Sequence, residues 1–419
     1  MKQKPIKLFL EPHKAFQSLS SCTGSLLLET QSPSAHERYS FMACKPEKIF
    51  KGDIHTLNSQ EFFDFIDDYR EDNLLAGYIG YEACQWIEDI PRPGPKDFSS
   101  PHIYLAVYPS FMVFDHLAHA WSYVGDPFEI ITPADNGKDI VVPAGKITGT
   151  NQTKEEYIDN INKALKFISE GDVYQINYTQ RFYFELEKTD PYLLYLQLRD
   201  IQPVAYGAFI NTGSGVVISG SPELFIRVQE GKILSKPMKG TRKRSSDPIL
   251  DLKLRQELIE SSKEQAENIM IVDLMRNDLG RFCRFGSIQV PKLYDIEQYT
   301  TVYQMVSHVE GAIQSRTKYS DIIRDVFPPG SVTGTPKKRA MEIIYGLEPN
   351  ARGVYCGMIG YIWNDRMVFN VAIRTLELAH SQGVFGVGGG IVADSDPEKE
   401  YEESLVKAKA IMMALGIES

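Results

Sequence analysis

The stretch "SKPMKGTRKR", Ser235 to Arg244, places one lysine, Lys239, between a proline-led apolar pair and a Gly-Thr, with four more cations nearby. An amine in this setting has three interpretations. It is a solvated lysine in a basic run, a contact to a phosphate or carboxylate, or a nucleophile that neighbouring cations keep unprotonated. The local pattern leaves all three open.

Two other segments each carry a pair of glutamates three residues apart, Glu264 with Glu267 and Glu400 with Glu403. Residues at this spacing lie on one face of a helix, so each pair presents two carboxylates together. An all-oxygen donor set without histidine or cysteine suits Mg²⁺. The alternative is a solvated helix face, because glutamate-rich surface helices are common.

Two glycine-containing segments suggest nucleotide-binding loops but fail the required spacing. The first, "PPGSVTGTPKKRA" at 328–340, has Thr-Pro between the glycine and the lysine that a P-loop needs to be adjacent. The second, "GVGGGIVADSDPEKE" at 386–400, lacks the dinucleotide-binding order. Its glycines instead let backbone N–H groups approach an anion, or permit a tight β crossing.

The patterns around these groups predict the elements that position them. Thr153 and Glu156 form a capping box that begins a helix, and Gly171 ends it. A strand follows in "VYQINYTQRFYF", and its polar face either lines a site or meets solvent. That face consists of Gln175, Asn177, Thr179 and Arg181. Helical patterns also carry both glutamate pairs, and β-like runs lie between them at 354–363, 367–376 and 384–392.

A β-hairpin is predicted in "SGSPELFIRVQEGKILSKPMKG", with its turn at Glu230-Gly231. A three-residue loop would place Glu223 directly opposite Lys239, whereas a two-residue loop would shift the pairing by one residue. In either case the two side chains lie at the same end of the hairpin.

The bulk properties describe a soluble protein with no strongly basic surface. The 419 residues exceed the roughly 250–300 that one core usually serves, so two domains or one large layered unit is expected. The net charge of −10 argues against general binding to nucleic acid or anionic membranes. Five scattered cysteines indicate buried thiols in a reducing compartment, and no segment is apolar enough to span a bilayer. We therefore expect a cytoplasmic protein.

A composition change from Thr132 to Thr153 predicts a connector, because Pro, Gly, Asn and Thr accumulate there without apolar periodicity. It separates an N-terminal region, 1–140, from a catalytic region, 153–416.

From about Thr153 to Gly416 the chain resembles the chorismate-utilising enzymes, a family that includes anthranilate, aminodeoxychorismate, isochorismate and salicylate synthases. The matching motifs are "GDVYQINYTQRF", "SGSPELFIRV", "KPMKGTRKR", "KEQAENIMIVDLMRNDLGR", "PPGSVTGTPKKRAMEII", "RGVYCGMIGYI", "VAIRTLEL" and "GGGIVADSDPEKEYEESLVKA", and "LLLET" near the N-terminus resembles the family's "LLES". The resemblance implies an α/β (α+β) fold like that of anthranilate synthase component I. Two antiparallel sheets stack face to face with helices outside, so the two regions become one packed unit.

The resemblance also assigns roles to residues at the matching positions. It implies that the four glutamates hold a Mg²⁺ that neutralises the ring carboxylate of chorismate, and that Tyr355, Arg374 and Lys407 bind carboxylate. Further substrate contacts are implied for Gln175, Gly240, Thr241, Thr333, Gly388, Gly389 and Gly390.

Two positions indicate which branch of the family this chain follows. The resemblance places Gln175 where isochorismate and salicylate synthases carry the lysine that activates water. It places Lys239 in "PMKGT", the pattern of aminodeoxychorismate synthase component I, where anthranilate synthases have alanine. The implied mechanism has Lys239 attack C2 of chorismate while Glu223, as general acid, assists departure of the C4 hydroxyl; ammonia then enters at C4.

No amidotransferase triad motif is found in the sequence, so the resemblance implies ammonia from a separate glutamine amidotransferase subunit (component II) or from solution. The chain departs from the family at Gln304, which replaces a histidine, and we expect His308 to be a surface residue rather than a substitute. Thr30 replaces the serine of "LLES", which argues against tryptophan feedback. Anthranilate synthase, a dual enzyme and a silent chorismate-binding subunit remain alternatives.

Overall fold

The computed structural model describes residues 3–34, 36–68, 72–126, 144–187, 190–299 and 302–417. In chain order its strands are β1 (Lys4–Ile6), β2 (Leu26–Glu29), β3 (Tyr39–Ala43), β4 (Lys48–Gly52), β5 (Leu74–Ile79), β6 (Ile103–Tyr108), β7 (Phe111–Asp115), β8 (Ala120–Val124), β9 (Gly145–Thr150), β10 (Gln175–Leu186), β11 (Tyr206–Asn211), β12 (Val216–Ser221), β13 (Leu224–Gln229), β14 (Lys232–Ser235), β15 (Met238–Lys243), β16 (Gln289–Gln298), β17 (Val302–Ala312), β18 (Gly334–Thr335), β19 (Met358–Trp363), β20 (Arg366–Val371), β21 (Thr375–Ala379) and β22 (Gln382–Ile391). The helices are α1 (Pro12–Phe16), α2 (Ser59–Asp68), α3 (Lys154–Ser169), α4 (Pro191–Ile201), α5 (Pro248–Ile259), α6 (Ser262–Gly280), α7 (Tyr319–Val326), α8 (Lys337–Leu347) and α9 (Pro397–Ala414).

The strands form two antiparallel sheets that face each other across a shared core. The 12-stranded sheet has the order β1-β8-β7-β3-β2-β11-β12-β21-β22-β10-β18, with β9 added to β10. The 10-stranded sheet has the order β15-β17-β14-β13-β20-β19-β5-β6-β4, with β16 added to β17. Apolar residues of both sheets, among them Phe41 and Ala208 of the first and Tyr78 and Ile359 of the second, pack in one buried cluster. The predicted fold of two stacked antiparallel sheets with helices is confirmed.

Both predicted regions contribute strands to both sheets. In the larger sheet β2 pairs with β11, and in the smaller one β5 pairs with β19. Backbone hydrogen bonds therefore join the two regions, and residues from each bury the apolar surface of the other.

The predicted connector is wrong for the part of it that the structure describes. Residues 132–143 lie outside the described residues, but Gly145–Thr150 forms β9 and pairs with the far half of β10. The glycines and threonines that suggested a connector have alternating exposure, as expected for an edge strand.

Capping side chains begin the helices that carry the candidate site. The predicted capping box of Thr153 and Glu156 is present at α3, and Gly171 adopts a φ of +83° just beyond its end. Ser261 accepts a hydrogen bond from the backbone N–H of Glu264 at the start of α6, and Asp396 caps α9 in the same way. The N-terminal turns of α6 and α9 thereby fix where both glutamate pairs lie.

The predicted hairpin is present with a two-residue turn. Gln229 pairs with Lys232, and Glu230 and Gly231 both have positive φ, as a type I′ turn requires. The strand β14 ends at Ser235, and the chain then continues as β15 on the other side of β17. The three-residue loop that would have set Glu223 opposite Lys239 is therefore not formed.

Two expectations from composition have structural counterparts. Four of the five cysteines are buried and Cys22 is half-buried, and all five are unpaired thiols. Among the described residues, no helix combines the length and the apolar character needed to cross a bilayer.

Candidate active site

Lys239 lies half-buried on β15 and points toward the end of β22. Its Nζ donates a hydrogen bond to the carbonyl of Ser331 at 3.5 Å. A Cβ added to Gly390 would lie 3.3 Å from the same Nζ, so the amine sits directly beside the glycine backbone. Within the described ranges, no carboxylate forms an ion pair with Lys239. This position does not match a solvated lysine in a basic run.

Three of the other four cations of the basic stretch have carboxylate partners, and the fourth, the exposed Lys243, forms no ion pair with any described residue. The pairs are Lys236 with Glu297 at 2.5 Å, Arg242 with Glu264 at 3.5 Å, and Arg244 with Asp251 at 2.9 Å. Each partner offsets the charge that the sequence pattern would otherwise bring to bear on Lys239. The lysine is thus distinguished from its neighbours by having an inward position without an acidic partner.

Glu223 lies between β12 and β13, where it is 5% exposed. Burial raises the pKa of this carboxyl to about 7, against the opposing effects of a hydrogen bond from the Ser331 side chain and the charge of Lys239. A backbone N–H from Met238 also reaches the carboxyl. Glu223 therefore holds a proton near neutral pH and lies within electrostatic reach of the candidate nucleophile.

Gln175, the first residue of β10, is completely buried and has no partner for its amide. Both Nε2 and Oε1 lack a hydrogen bond to any described residue. A Cβ on Gly390 would lie 2.9 Å from Nε2, so the amide shares the space beside Lys239. A buried donor and acceptor without hydrogen bonds are costly, so this amide is available to bind a group in the candidate site.

The two glutamate pairs come together from α6 and α9. Glu267 and Glu400 are buried, and burial raises the pKa of both carboxyls. Repulsion from Glu264 and Glu400 raises the pKa of Glu267 further, and Glu403 acts in the same way on Glu400. Charge repulsion thus reaches from one helix to the other, and we refer to the four side chains as the acidic cluster.

The cluster fits Mg²⁺ in its donor chemistry, because every donor is a carboxylate oxygen and a divalent cation would relieve the repulsion. In the part of the chain that the structure describes, however, no three histidine, cysteine, aspartate or glutamate side chains converge closely enough to hold a metal ion. Magnesium binding thus stays a prediction.

Arg374 has the features expected of a carboxylate-binding group. Its backbone has a φ of +51°, and its guanidinium makes no hydrogen bond or ion pair with any described residue. Burial lowers its pKa to about 10, so the side chain is still charged at neutral pH. An unpartnered guanidinium offers a planar fork of donors to an incoming carboxylate.

Tyr355 and Lys407 were predicted to act with Arg374. Tyr355 is buried, and burial raises its pKa well above the usual value, so its hydroxyl keeps its proton. Lys407 lies more than a third exposed on α9, where Nζ pairs with Glu403 at 2.9 Å and donates to the carbonyl of Gly388 at 3.0 Å. Lys407 is thereby tied to the acidic cluster and to the glycine strand.

The three consecutive glycines of β22 admit the surrounding groups. A Cβ at Gly388 would lie 2.1 Å from the carbonyl oxygen of Tyr178, and one at Gly389 would lie 3.2 Å from Oε2 of Glu400. At Gly388 the close atom belongs to the backbone and leaves no room for a Cβ, whereas at Gly389 and Gly390 the close atoms are the ends of the Glu400, Gln175 and Lys239 side chains. Packing therefore requires glycine at position 388, and at the next two positions a side chain would press on candidate site groups.

The remaining residues that were predicted to contact substrate differ in their positions and in their exposure. Gly240 has a φ of +77°, and a Cβ there would come within 2.9 Å of Oε2 of Glu264, so it belongs to the site. Thr333 is fully buried, and its hydroxyl donates to the carbonyl of Pro329 at 2.9 Å. Thr241 is exposed on β15, where it pairs with Gln304 of β17. A substrate contact by Thr241 stays a prediction.

Gln304, which the resemblance places at a family histidine, and His308 both lie on β17. Gln304 is buried, at 4% exposure, beside the β15 strand that carries Lys239. The prediction that His308 is a surface residue is wrong: its side chain is 14% exposed, and Nε2 lies 3.7 Å from Glu297. The β16 strand covers this part of β17, which local sequence does not reveal.

Sequence reasoning missed two residues of the site, Ser331 and Asn177. The hydroxyl of Ser331 binds Glu223 while its carbonyl accepts from Lys239, so one residue contacts both candidate catalytic groups. The amide Nδ2 of Asn177 is buried on the same face of β10 as Gln175, without a partner among the described residues. Each lay in a motif already noted, the "PPGSVTGTPKKRA" loop and the polar strand face.

Thr30 lines a separate cavity of about 290 Å³ between β2, β3, β11 and β20. The hydroxyl of Thr30 donates to the carbonyl of Tyr39, and Glu37 and Arg227 form a 2.6 Å ion pair in the cavity wall. The expectation that tryptophan does not regulate the protein stays a prediction.

Residues 24–413 match a protein family described as chorismate binding enzyme. The chain belongs to this family. The chorismate-binding match spans both predicted regions and includes each of the candidate site residues named above.

Individual relatives of this chorismate-binding chain carry different names. It is 36% identical to aminodeoxychorismate synthase component 1 of Escherichia coli, over 81% of this chain and 76% of that protein. It is also 36% identical to anthranilate synthase component 1 of Pseudomonas aeruginosa, over 83% of this chain and 76% of that protein. Among solved structures, anthranilate synthase component I from Streptococcus pneumoniae superposes with a TM-score of 0.79 and 28% identity, covering 90% of this chain and 93% of that one. Overall similarity therefore does not distinguish the two activities.

Proposed function

We propose that this chain is the chorismate-aminating subunit of 4-amino-4-deoxychorismate synthase. The observation that carries the proposal is the position of Lys239, an inward-facing amine beside Gly390 and the unpartnered amide of Gln175. Glu223, with its pKa raised to about 7, supplies a protonated carboxyl within reach of the same amine. A nucleophile next to an acid is what displacement of a ring hydroxyl requires.

The reaction proceeds in two displacements. The unprotonated amine of Lys239 forms a bond to C2 of chorismate, both double bonds of the ring diene shift toward C4, and the C4–O bond breaks. The departing hydroxyl takes the proton of Glu223 and leaves as water. Ammonia then bonds to C4, both double bonds shift back, and the C2–N bond to Lys239 breaks. The surplus ammonia proton returns to Glu223. Splitting the substitution in this way directs nitrogen to C4.

The other side chains bind and orient the substrate. Arg374, with its free guanidinium, and Tyr355, with its protonated hydroxyl, are suited to the carboxylates of chorismate. Glu264, Glu267, Glu400 and Glu403 would hold Mg²⁺, which when bound neutralises the ring carboxylate and fixes the diene.

The nitrogen source is proposed to be a separate glutamine amidotransferase subunit, or ammonium salt in its absence. The name "component 1" of the Escherichia coli relative supports a multi-subunit enzyme.

The alternative is anthranilate synthesis, which the Pseudomonas aeruginosa relative's name favours. The two activities differ in whether nitrogen ends at C4 or C2 of the ring. Only the first needs a covalent bond to Lys239.

The test is product identity from the purified chain with chorismate, Mg²⁺ and ammonium salt. We expect 4-amino-4-deoxychorismate from the unmodified protein, and a loss of roughly 10²-fold or more with Lys239→Ala. Lys243→Ala, an exposed lysine on the same strand, is the matched control and should retain activity. Anthranilate as the main product, with Lys239→Ala still active, would contradict the proposal.

A further inference from the structure

A second cavity, of about 590 Å³, lies on the far side of the loop that contacts Lys239. Its lining includes Leu274 and Asn277 of α6, together with Tyr174 and Thr335 at the edge of the larger sheet. Tyr174 is 68% exposed there, so the cavity opens to solvent.

Only one layer of residues separates this cavity from the candidate active site. Leu274 packs against Gly330, since a Cβ on that glycine would lie 2.5 Å from Cδ2 of Leu274. The next residue, Ser331, contacts Lys239 on the other side. In β18, Thr335 lines the cavity and pairs directly with Gln175 of β10.

Unpartnered polar atoms lie on both sides of this layer. Oγ1 of Thr335 is buried and has no hydrogen-bond partner among the described residues, and the same holds for both amide atoms of Gln175. Directly opposite residues of an antiparallel pair project to the same face, about 5 Å apart at Cβ. The two groups thus form a short polar route from the cavity to Lys239.

The charges of the cavity favour a small neutral ligand over chorismate. Its lining has as many carboxylates as cations: Glu88, Asp273, Asp278 and Asp325 against Arg281, Arg324, Lys337 and Lys338. Lys337 is bound to Asp278 at 2.6 Å, and Arg281 lies 3.9 Å from Asp325. The doubly charged chorismate is therefore attracted only weakly to this cavity. The unpartnered Arg374, which lies outside the cavity, is better suited to bind it.

We propose that ammonia reaches the site from this cavity, past the hydroxyl of Thr335, and is held by the amide of Gln175 beside Lys239. The amide has a free carbonyl oxygen and a free NH₂ group, which complement the N–H bonds and the lone pair of ammonia. The route lets ammonia arrive while chorismate occupies the side that faces Arg374. This inference rests on the proposed amination, but only on the entry of ammonia and not on the ring position that receives it.

The test uses the full chain with chorismate, Mg²⁺ and ammonium salt, and two variants. Thr335→Val keeps the shape and removes the hydroxyl, and Asn277→Trp fills the cavity mouth from an exposed position on α6. We expect Thr335→Val to raise the KM for ammonia by roughly 2- to 10-fold, the loss of one hydrogen bond, and Asn277→Trp to raise it at least as much. The KM for chorismate should not change in either variant.

Thr148→Val is the matched control, because Thr148 is exposed on β9, which pairs with the opposite end of β10. A second readout is the rate at which chorismate alone forms an adduct on Lys239, which should equal the wild-type rate in both cavity variants. This measurement also shows that the variants are folded.

An unchanged KM for ammonia in both variants would overturn the inference, and so would a parallel rise in the KM for chorismate, which would mark the cavity as the chorismate entrance. Failure of the proposed function has a different signature. The wild-type chain would then form no adduct and place nitrogen at C2, and the ammonia KM of that reaction would still test the route.

Discussion

At the scale of single residues, burial and pairing make two neighbouring groups chemically different. Glu223 keeps a proton to about pH 7 because it is desolvated, although Lys239 opposes this. Lys236 and Arg242 have carboxylate partners, whereas Lys239 forms no ion pair with any residue that the structure describes. The division into acid and nucleophile therefore follows from surroundings and not from residue type alone.

The raised pKa of Glu223 predicts the pH dependence of the reaction. The protonated form is the active one, so kcat should fall as the pH rises through about 7. Glu223→Gln should lower kcat by roughly 10²-fold and remove this limb of a pH–rate profile. Glu230→Gln, in the exposed turn of the same hairpin, should leave the profile unchanged. Persistence of the limb in Glu223→Gln would contradict the assignment.

The same shift has a consequence for stability. Since the pKa is raised from 4.5 to about 7 in the folded state, the contribution of the neutral carboxyl is fully present below pH 4.5 and is lost as the pH rises through 7. The unfolding midpoint of Glu223→Gln, measured relative to that of the wild type, should therefore increase as the pH rises.

The sequence motifs single out Lys239, Glu223 and Gln175 as candidates but do not predict what surrounds them. Ser331 lies 92 residues from Lys239 along the chain, so its contact with the amine has no local signal. The carboxylate partners of Lys236 and Arg242 likewise come from distant elements.

At the scale of elements, one buried arginine joins the parts that surround the site. Arg352 donates to the carbonyls of Val332 and Asn177, both at 2.7 Å, and to Glu348 at the end of α8. It thus ties the loop of Ser331 to β10 and to α8. Buried hydrogen-bonded charge pairs hold such geometry strongly because leaving one partner alone is costly.

Arg352→Met should destabilise the protein by about 3–5 kcal/mol, because it leaves Glu348 as an unpaired buried charge. The matched control is Arg339→Met on α8, whose side chain is 41% exposed and whose guanidinium pairs with Asp172 and Glu342. That substitution should cost less than about 1 kcal/mol. Urea unfolding midpoints compare the two, and equal shifts would contradict the role of Arg352.

Elements with strong local signals were predicted well and those with tertiary causes were not. The capping box of α3 and the turn of the β13–β14 hairpin depend on nearby residues. The sequence did not decide whether the polar face of β10 lines a site or meets solvent. In the structure this face is buried because the facing elements cover it. The position of β15 in the sheet depends on its partner β17, which follows about 60 residues later in the chain.

At the scale of the whole molecule, the two sheets lead us to expect that the chain unfolds as one cooperative unit. The ladders between β2 and β11 and between β5 and β19 join the N-terminal region to the rest of the chain. We expect β2 and β11 to open together, with the same free energy and the same denaturant dependence, in native-state hydrogen exchange. Opening of β2 at lower denaturant would show that the N-terminal region unfolds independently.

Phe41→Ala provides the matched perturbation, because Phe41 is 1% exposed in the cluster between the sheets. Its cost of about 3–5 kcal/mol should lower the opening free energy of both β2 and β11 equally. Length and composition allowed either two domains or one layered unit. The pairing of strands far apart in sequence, which decides between them, has no local pattern.

The pairing of β5 with β19 also bears on how the protein is made. On the ribosome, β5 is complete long before β19 is synthesised, and at about 5–20 residues per second the interval is on the order of tens of seconds. During that time one edge of β5, with its apolar residues, has no native neighbour. We therefore expect the nascent chain to need protection from aggregation until β19, in its last third, has been translated.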